Sequence, residues 1–78
     1  MMGNAAALIE AETFTREEGG TLTCELGASN GGYRVSLRLD LDVTGAAVEM
    51  FQDAQQARAR HAAVVRQLRA AGWVARPQ

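Results

Sequence analysis

The chain has no lysine, one cysteine, one histidine and one proline among its 78 residues. A single cysteine can form neither an internal disulfide nor a cysteine-based zinc site, so a reducing, cytoplasmic setting is the simplest expectation. No apolar run approaches the length that spans a bilayer, and residues 1–9 lack the basic start and long apolar stretch of a secretory signal. No catalytic, metal-binding or phosphate-binding motif occurs in the sequence. We therefore predict a protein that is not an enzyme, uses no cofactor or metal and does not enter a membrane.

The charged residues are divided unevenly along the chain. Residues 1–52 hold three arginines and eight acidic residues, a net charge of −5, whereas residues 53–78 hold five arginines and one acidic residue, a net charge of +4. Opposite charges on different exposed faces keep a small protein soluble, and one such face can also steer a charged partner. Arginine without lysine, together with abundant alanine, is typical of the codon usage of a GC-rich bacterial, archaeal or phage genome.

Strict alternation between Tyr33 and Val43 is the clearest structural signal. The odd positions are apolar or aromatic and the even positions are polar or charged, and only a β-strand has a side-chain period of two. Asn30-Gly31 before this strand fits a two-residue type I′ hairpin turn. The turn aligns a strand of about residues 21–28 with residues 33–43, so that the apolar residues of both share one face. This register pairs Ala28 with Tyr33, Leu26 with Val35, Cys24 with Leu37, and Leu22 with Leu39.

A further strand is predicted over residues 46–51. Thr44-Gly45 can form the tight turn that precedes it. A single long helix that begins at Thr44 is an alternative, because apolar residues from Ala47 onward also follow a helical spacing. The strand is favoured because a fresh helix start follows it at Asp53. The turn would place three pairs on the inner face: Val43 with Ala46, Leu41 with Val48, and Leu39 with Met50.

The last third of the chain predicts an amphipathic helix over about residues 54–71. Asp53 and Gln56 have the spacing of a capping box at its start. Gly72 stands where a left-handed residue ends many helices, and Trp73 is then placed to fold back on the helix as in a Schellman ending. The inward stripe of this helix consists of Ala54, Ala57, His61, Val64, Val65 and Leu68.

The first strand, about residues 7–15, has an ambiguous orientation. If Ile9 faces inward, Phe14 faces water; if Phe14 faces inward, Glu10 and Glu12 do so too. A glycine bulge in the strand or in the following turn is one way to resolve the conflict.

Together these elements predict that the whole chain, residues 1–78, is a single α+β domain. Its fold is a four-stranded antiparallel β-meander with one C-terminal α-helix packed on one face (ββββα). The predicted core consists of Leu22, Leu26, Val35, Leu37, Leu39, Leu41, Val48, Val64 and Leu68.

Cys24 and His61 are the residues that suggest nucleophilic chemistry. Both occupy positions that face the predicted core, and a Cys24–His61 pair across the sheet–helix interface is one alternative. A nucleophile sealed in a small core has no access to a substrate. We therefore expect Cys24 to act as a small buried hydrophobe, and His61 to be partly buried on the helix.

The outer sheet face is a candidate protein-binding surface, formed by Arg34, Arg38, Asp40, Asp42 and Glu49. In the predicted register Asp40 and Glu49 lie opposite each other on this face, with Asp42 beside them. Three acids can hold a divalent cation through oxygen ligands, but the two arginines are close enough to neutralise them. A solvated face of arginine–acid pairs is the simpler interpretation.

The exposed side of the helix is the second candidate surface. Its four arginines can contact phosphates, so they form a candidate nucleic-acid-binding row. No aromatic residue is interleaved with them, which argues against stacking on single-stranded bases. The row consists of Arg58, Arg60, Arg66 and Arg69.

The sequence therefore predicts a small non-enzymatic protein-binding regulator or inhibitor. In size and style such a chain is similar to phage-encoded inhibitors such as the anti-CRISPR proteins, which implies a phage or mobile-element origin but carries over no residue. One alternative is a nucleic-acid-binding module that uses the arginine row. Another is a homo-oligomeric accessory protein, such as a homodimer, that joins sheet edges or outer faces.

Overall fold

A computed structural model describes residues 7–39 and 47–76. The strands form one antiparallel sheet in the order β4-β3-β2-β1-β5, and the helix packs on one face of it. This confirms the predicted α+β class and adds one short strand. In chain order the elements are β1 (Ala7–Thr15), β2 (Thr21–Ser29), β3 (Gly32–Leu39), β4 (Ala47–Phe51), α1 (Ala54–Ala70) and β5 (Val74–Ala75).

The β2–β3 hairpin has the predicted register. Asn30 and Gly31 both have positive φ angles, 45° and 80°, as a type I′ turn requires. The turn chemistry therefore fixes the pairing, and the alternation of apolar residues then directs one face of both strands towards the helix. The observed pairs include Leu26 with Val35, Cys24 with Leu37, and Leu22 with Leu39.

Strand β1 has the orientation that buries Phe14, and it contains one bulge near its start. Leu8 pairs with Gly27 and Glu10 pairs with Leu26, so Ile9 is the extra residue between them. The bulge changes the facing of Ala7 and Leu8 only. From Glu10 to Thr15 the register is unbroken, and Phe14 pairs with Leu22 and is fully buried. Glu10 then points to the same face of the sheet, as does Glu12. This is one of the two predicted orientations, the one in which Phe14, Glu10 and Glu12 face inward together. The extra residue of the bulge is Ile9 and not a glycine, although Gly27 lies opposite Leu8 beside it.

The predicted register of β4 is wrong. Leu37 lies opposite Ala47, so residues 38–46 separate the paired positions and Thr44-Gly45 cannot close a two-residue hairpin. The shift is odd in number, which exchanges the two faces of the strand. Phe51 consequently packs beside Tyr33 against the core. Because residues 47–51 form a strand and the helix begins at Ala54, the alternative of one long helix from Thr44 is wrong.

Because the two faces of β4 are exchanged, part of the predicted core is also wrong. Val48 and Met50 point to the outer face and are 50% and 61% exposed. Leu39 pairs with Leu22 on the inner face but is 45% exposed. Leu41 and the predicted end of the strand, residues 40–43, lie outside the described residues.

The helix begins and ends as predicted. Asp53 accepts a hydrogen bond from the Gln55 backbone N–H at 3.1 Å, which caps the first turn. At the other end the Trp73 N–H donates to the Leu68 carbonyl at 3.0 Å, and Gly72 has a φ of 100°. This Schellman ending turns the chain back onto the core.

The reversal also forms β5, which was not predicted. Val74–Ala75 pairs with the end of β1, and the Arg76 N–H donates to the Thr13 carbonyl at 2.8 Å. The strand is too short to give an alternating pattern that sequence analysis could detect.

The core lies between α1 and the inner sheet face. Its larger cluster joins β1, β2, α1 and the chain after the helix, and its smaller cluster joins β2, β3 and α1. The larger consists of Phe14, Leu22, Cys24, Val64, Leu68 and Trp73, and the smaller of Leu26, Val35 and Ala57. Five predicted core residues are thus confirmed as buried: Leu22, Leu26, Val35, Val64 and Leu68.

Candidate functional site

Acidic residues of the sheet meet arginines of α1 along the seam between the two layers. Each side chain in these pairs is about half exposed, so an individual pair contributes roughly 0–1 kcal/mol to stability. The acidic and basic parts of the sequence therefore meet each other here rather than facing apart. The pairs are Glu10 with Arg58 at 3.2 Å, Glu49 with Arg60 at 2.6 Å, and Glu12 with Arg69 at 3.8 Å.

The arginine row of α1 is therefore largely engaged within the protein. Arg58, Arg60 and Arg69 each have a carboxylate partner from the sheet. Arg66 is exposed and has no ion pair with any residue in the described ranges. A phosphate backbone that approaches this side of the helix therefore meets four arginines. Three of them are already paired with carboxylates, and one has no such ion pair.

His61 is buried on the inner side of α1, with 3% of its surface exposed. Its Nδ1 lies 3.5 Å from a carboxylate oxygen of Glu10, and the other oxygen of that carboxylate accepts from Arg58. The Nε2 atom is buried and has no hydrogen-bond partner among the described residues. The ring therefore presents no nitrogen to a substrate from outside.

Cys24 is fully buried in the larger core cluster. Burial raises the pKa of its thiol to about 11, and the nearby carboxylates of Glu12 and Glu25 add to the increase. The thiolate is the nucleophilic form of cysteine, so at neutral pH this side chain is unreactive. The observation agrees with the expectation of a small buried hydrophobe.

The outer sheet face is the surface opposite α1. Its central part is a shallow depression of about 200 Å³ whose walls come from β2, β3 and β4. Ser36 of β3 lies in the middle of the depression: it pairs with Val48 of β4 on one side and with Glu25 of β2 on the other. The depression is lined by Thr23, Glu25, Arg34, Ser36, Arg38 and Val48.

We define the β3–β4 patch as the outward side chains of these two strands. Met50 lies directly opposite Arg34, so exposed apolar and basic groups are neighbours. Within the described ranges, nothing packs over this face. The patch consists of Arg34, Ser36, Arg38, Val48 and Met50.

The predicted protein-binding set is only partly reproduced. Arg34 and Arg38 lie on the outer face, as expected. Glu49 was assigned to the wrong face: it points to the helix side, where it meets Arg60. Its predicted pairing with Asp40 and its share in a weak cation site are therefore excluded. Asp40 and Asp42 themselves lie outside the described residues.

Sequence analysis missed Val48 and Met50 as surface residues. Both strand faces of residues 47–51 contain apolar side chains, so the local pattern carries no signal for which face is buried. The choice depends on tertiary contacts with α1, such as Glu49 with Arg60, which the alternation within the strand does not show.

The described part of the chain contains no helix long and apolar enough to cross a membrane. It also contains no group of three or more histidine, cysteine, aspartate or glutamate side chains that could hold a metal ion. Val48 and Met50 of the patch are among its exposed large apolar side chains, as are Leu8 and Val74. Comparisons of the whole chain with protein-family models, with curated proteins and with solved structures found no match.

Proposed function

We propose that this protein is a small non-enzymatic regulator or inhibitor that acts by binding another protein through the β3–β4 patch. The supporting observation is that Val48 and Met50 stand exposed beside arginines on an open sheet face. Exposed apolar side chains within a polar, arginine-containing rim are typical of protein-binding surfaces.

The residues that could have supplied chemistry are consistent with this proposal. The Cys24 thiol is buried and its pKa is raised, and His61 is enclosed beneath α1. Neither offers a reactive atom to a substrate, whereas a nucleophile needs both access and an activating base. Binding therefore accounts for the exposed features better than catalysis does.

The nucleic-acid alternative draws less support from the surface. The arginine row that would track a phosphate backbone is mostly paired with the sheet acids, and each such pair would have to be broken or shared. Self-association through the free edge of β4 is the other competing arrangement, since an unpaired strand edge can template another strand.

The test is affinity capture from cells of the natural source with three forms of the protein. Val48→Glu places a charge in the patch. Val74→Glu makes the same change at an exposed valine on β5, at the opposite edge of the sheet. Circular dichroism and thermal unfolding first establish that both variants are folded.

The proposal predicts that one protein is retained by the wild type and by Val74→Glu, and is lost with Val48→Glu. The same difference should reappear when the purified partner is titrated by calorimetry. Retention of nucleic acid that disappears with Arg66→Glu would overturn the proposal in favour of the arginine row. A concentration-dependent dimer that Val48→Glu dissociates, without another captured protein, would favour self-association.

A further inference from the structure

We infer that the segment bound by the β3–β4 patch is acidic, with carboxylates that meet Arg34 and Arg38 and an apolar side chain that covers Val48 and Met50. The inference rests on the proposed function, because it specifies the chemistry of the partner at the same surface. Three observations support it: the distribution of ion pairs, the shape of the outer face, and the poor match of that face to a second copy of the chain or to a nucleic acid.

In the described part of the chain, the arginines that form ion pairs all lie outside the patch. Three connect α1 to the sheet, and one joins Arg16 to Glu18 in the turn after β1. Arg34 and Arg38 form no ion pair with any residue in ranges 7–39 and 47–76. The patch therefore presents two positive charges, with Glu25 as the single described acid in its depression.

The spacing of the two arginines suits separate carboxylates. They stand on the same face of β3 with Ser36 between them, about 13 Å apart at a strand rise of about 3.3 Å per residue. Each guanidinium group can donate two parallel hydrogen bonds to a carboxylate. The Ser36 hydroxyl lies between the two arginines and the Thr23 hydroxyl lies beside Arg38, where they can bond the backbone of a bound segment.

The depression continues across the sheet, which favours an extended segment over a single side chain. A second hollow of about 130 Å³ shares Glu25 and Arg34 with the first and reaches Leu8 at its far end. Gly27 forms its floor, and a Cβ atom there would lie 3.9 Å from an Arg34 nitrogen. The resulting trough has an arginine in its middle and exposed apolar side chains at both ends.

A second copy of this chain fits the trough poorly. Two outer faces placed together would bring two arginines from each copy against one described acid from each. At least one pair of like charges would remain unmatched, which is unfavourable at an interface. A partner with acidic side chains matches all the positive charge.

A nucleic acid is also a poor match. Val48 and Met50 would face a charged backbone without an apolar group to cover them. Tyr33, the aromatic residue of β3, packs on the inner face, so it cannot stack on a base outside. An acidic polypeptide with an apolar anchor satisfies both kinds of side chain.

The test is a nuclear magnetic resonance titration of the isotope-labelled full chain with three probes. The first is a soluble synthetic peptide with glutamates on both sides of a central leucine. The second is the same peptide with glutamine in place of each glutamate. The third is a mixed-sequence single-stranded DNA oligonucleotide. Amide resonances of β2, β3 and β4 report binding to the trough.

The acidic peptide should shift these resonances, and the glutamine peptide should bind about tenfold more weakly, because two exposed charge pairs are lost. The double variant Arg34→Glu/Arg38→Glu should lower the affinity for the acidic peptide by at least about tenfold. Arg66→Glu, the same change on α1, should leave that affinity unaltered. Arg34→Gln/Arg38→Gln gives an intermediate loss and guards against misfolding of the double reversal.

Equal binding of the two peptides, or stronger binding of the oligonucleotide at these resonances, would overturn the inference. So would the absence of any shift with the acidic peptide. These failures are distinguishable from failure of the proposed function, because capture of a protein that depends on Val48 would then still stand, with a partner of different chemistry.

Discussion

The Nδ1 atom of His61 lies 3.5 Å from a carboxylate oxygen of Glu10, while the opposite ring nitrogen is buried without a hydrogen-bond partner in the described part of the chain. The Nδ1 side of the His61 ring thus links α1 to β1. The buried Nε2 atom has lost its hydration and gains no hydrogen bond in return. A buried, unpartnered polar atom costs about 1–3 kcal/mol, more than a partly exposed contact to a carboxylate returns.

We therefore expect His61→Phe to leave the free energy of unfolding unchanged or to raise it by about 1 kcal/mol. His61→Ala, which removes the ring volume as well, should lower it by roughly 2–3 kcal/mol. Urea denaturation of both variants gives the comparison. A loss of more than about 2 kcal/mol for the phenylalanine variant would show that Nε2 has a partner, such as an enclosed water.

Two leucines of the predicted core should respond very differently to truncation. Leu26→Ala, at a position with 1% exposure, should cost about 2–5 kcal/mol through lost burial and a residual cavity. Leu39→Ala, at 45% exposure, should cost less than about 1 kcal/mol. The midpoints of urea unfolding test this. A similar large loss at both positions would mean that Leu39 is covered.

The two hairpins show what the sequence could and could not specify. Asn30-Gly31 fixes its register locally, because few residue pairs tolerate two positive φ angles. Residues 47–51 have apolar side chains on both faces, so no local rule selects one. Phe51 reaches the smaller core cluster and Glu49 reaches Arg60, and these contacts with α1 select the register.

The same reason limits what was predicted of the candidate site. Arg34 and Arg38 were placed on the correct face of the sheet, because they belong to the well-specified strand β3. Val48 and Met50 were missed because their exposure follows from the register of β4. The orientation of β1 is comparable: its pattern left two facings open. Burial of Phe14 turns Glu10 to the helix side, where Arg58 is available as a partner.

The Cys24 thiol should be unreactive towards thiol reagents in the native state. Its pKa is raised to about 11, so a negligible fraction is thiolate at pH 8. A thiol-specific reagent should label the folded protein far more slowly than the denatured protein. Rapid native labelling at pH 8 would show that the side chain is accessible, and would reopen the case for nucleophilic chemistry.

The same shift makes stability depend on alkaline pH. The ordinary pKa of the thiol is 9.0, so above that value the unfolded chain releases a proton that the folded chain retains. The stabilisation that this group contributes is complete below pH 9 and is lost as the pH rises towards 11. Urea midpoints between pH 8 and pH 11 should fall more steeply for the wild type than for Cys24→Ala, and equal slopes would contradict the raised pKa.

The Glu49–Arg60 pair provides a direct test of the register of β4. If Glu49 points to the helix side, a double-mutant cycle of Glu49→Gln and Arg60→Gln should give a coupling energy of about 0.5 kcal/mol at low salt. The value is small because both side chains are about half exposed. High salt should reduce it further through screening.

The register that places Glu49 on the outer face predicts a different result. There the carboxylate would lie diagonally across from Arg38, and replacing Arg60 would have no effect on it. A parallel cycle of Glu49→Gln with Arg38→Gln therefore serves as the control. Coupling to Arg60 with none to Arg38 supports the observed register, and because that register alone exposes Val48 and Met50, it also supports the surface on which binding is proposed.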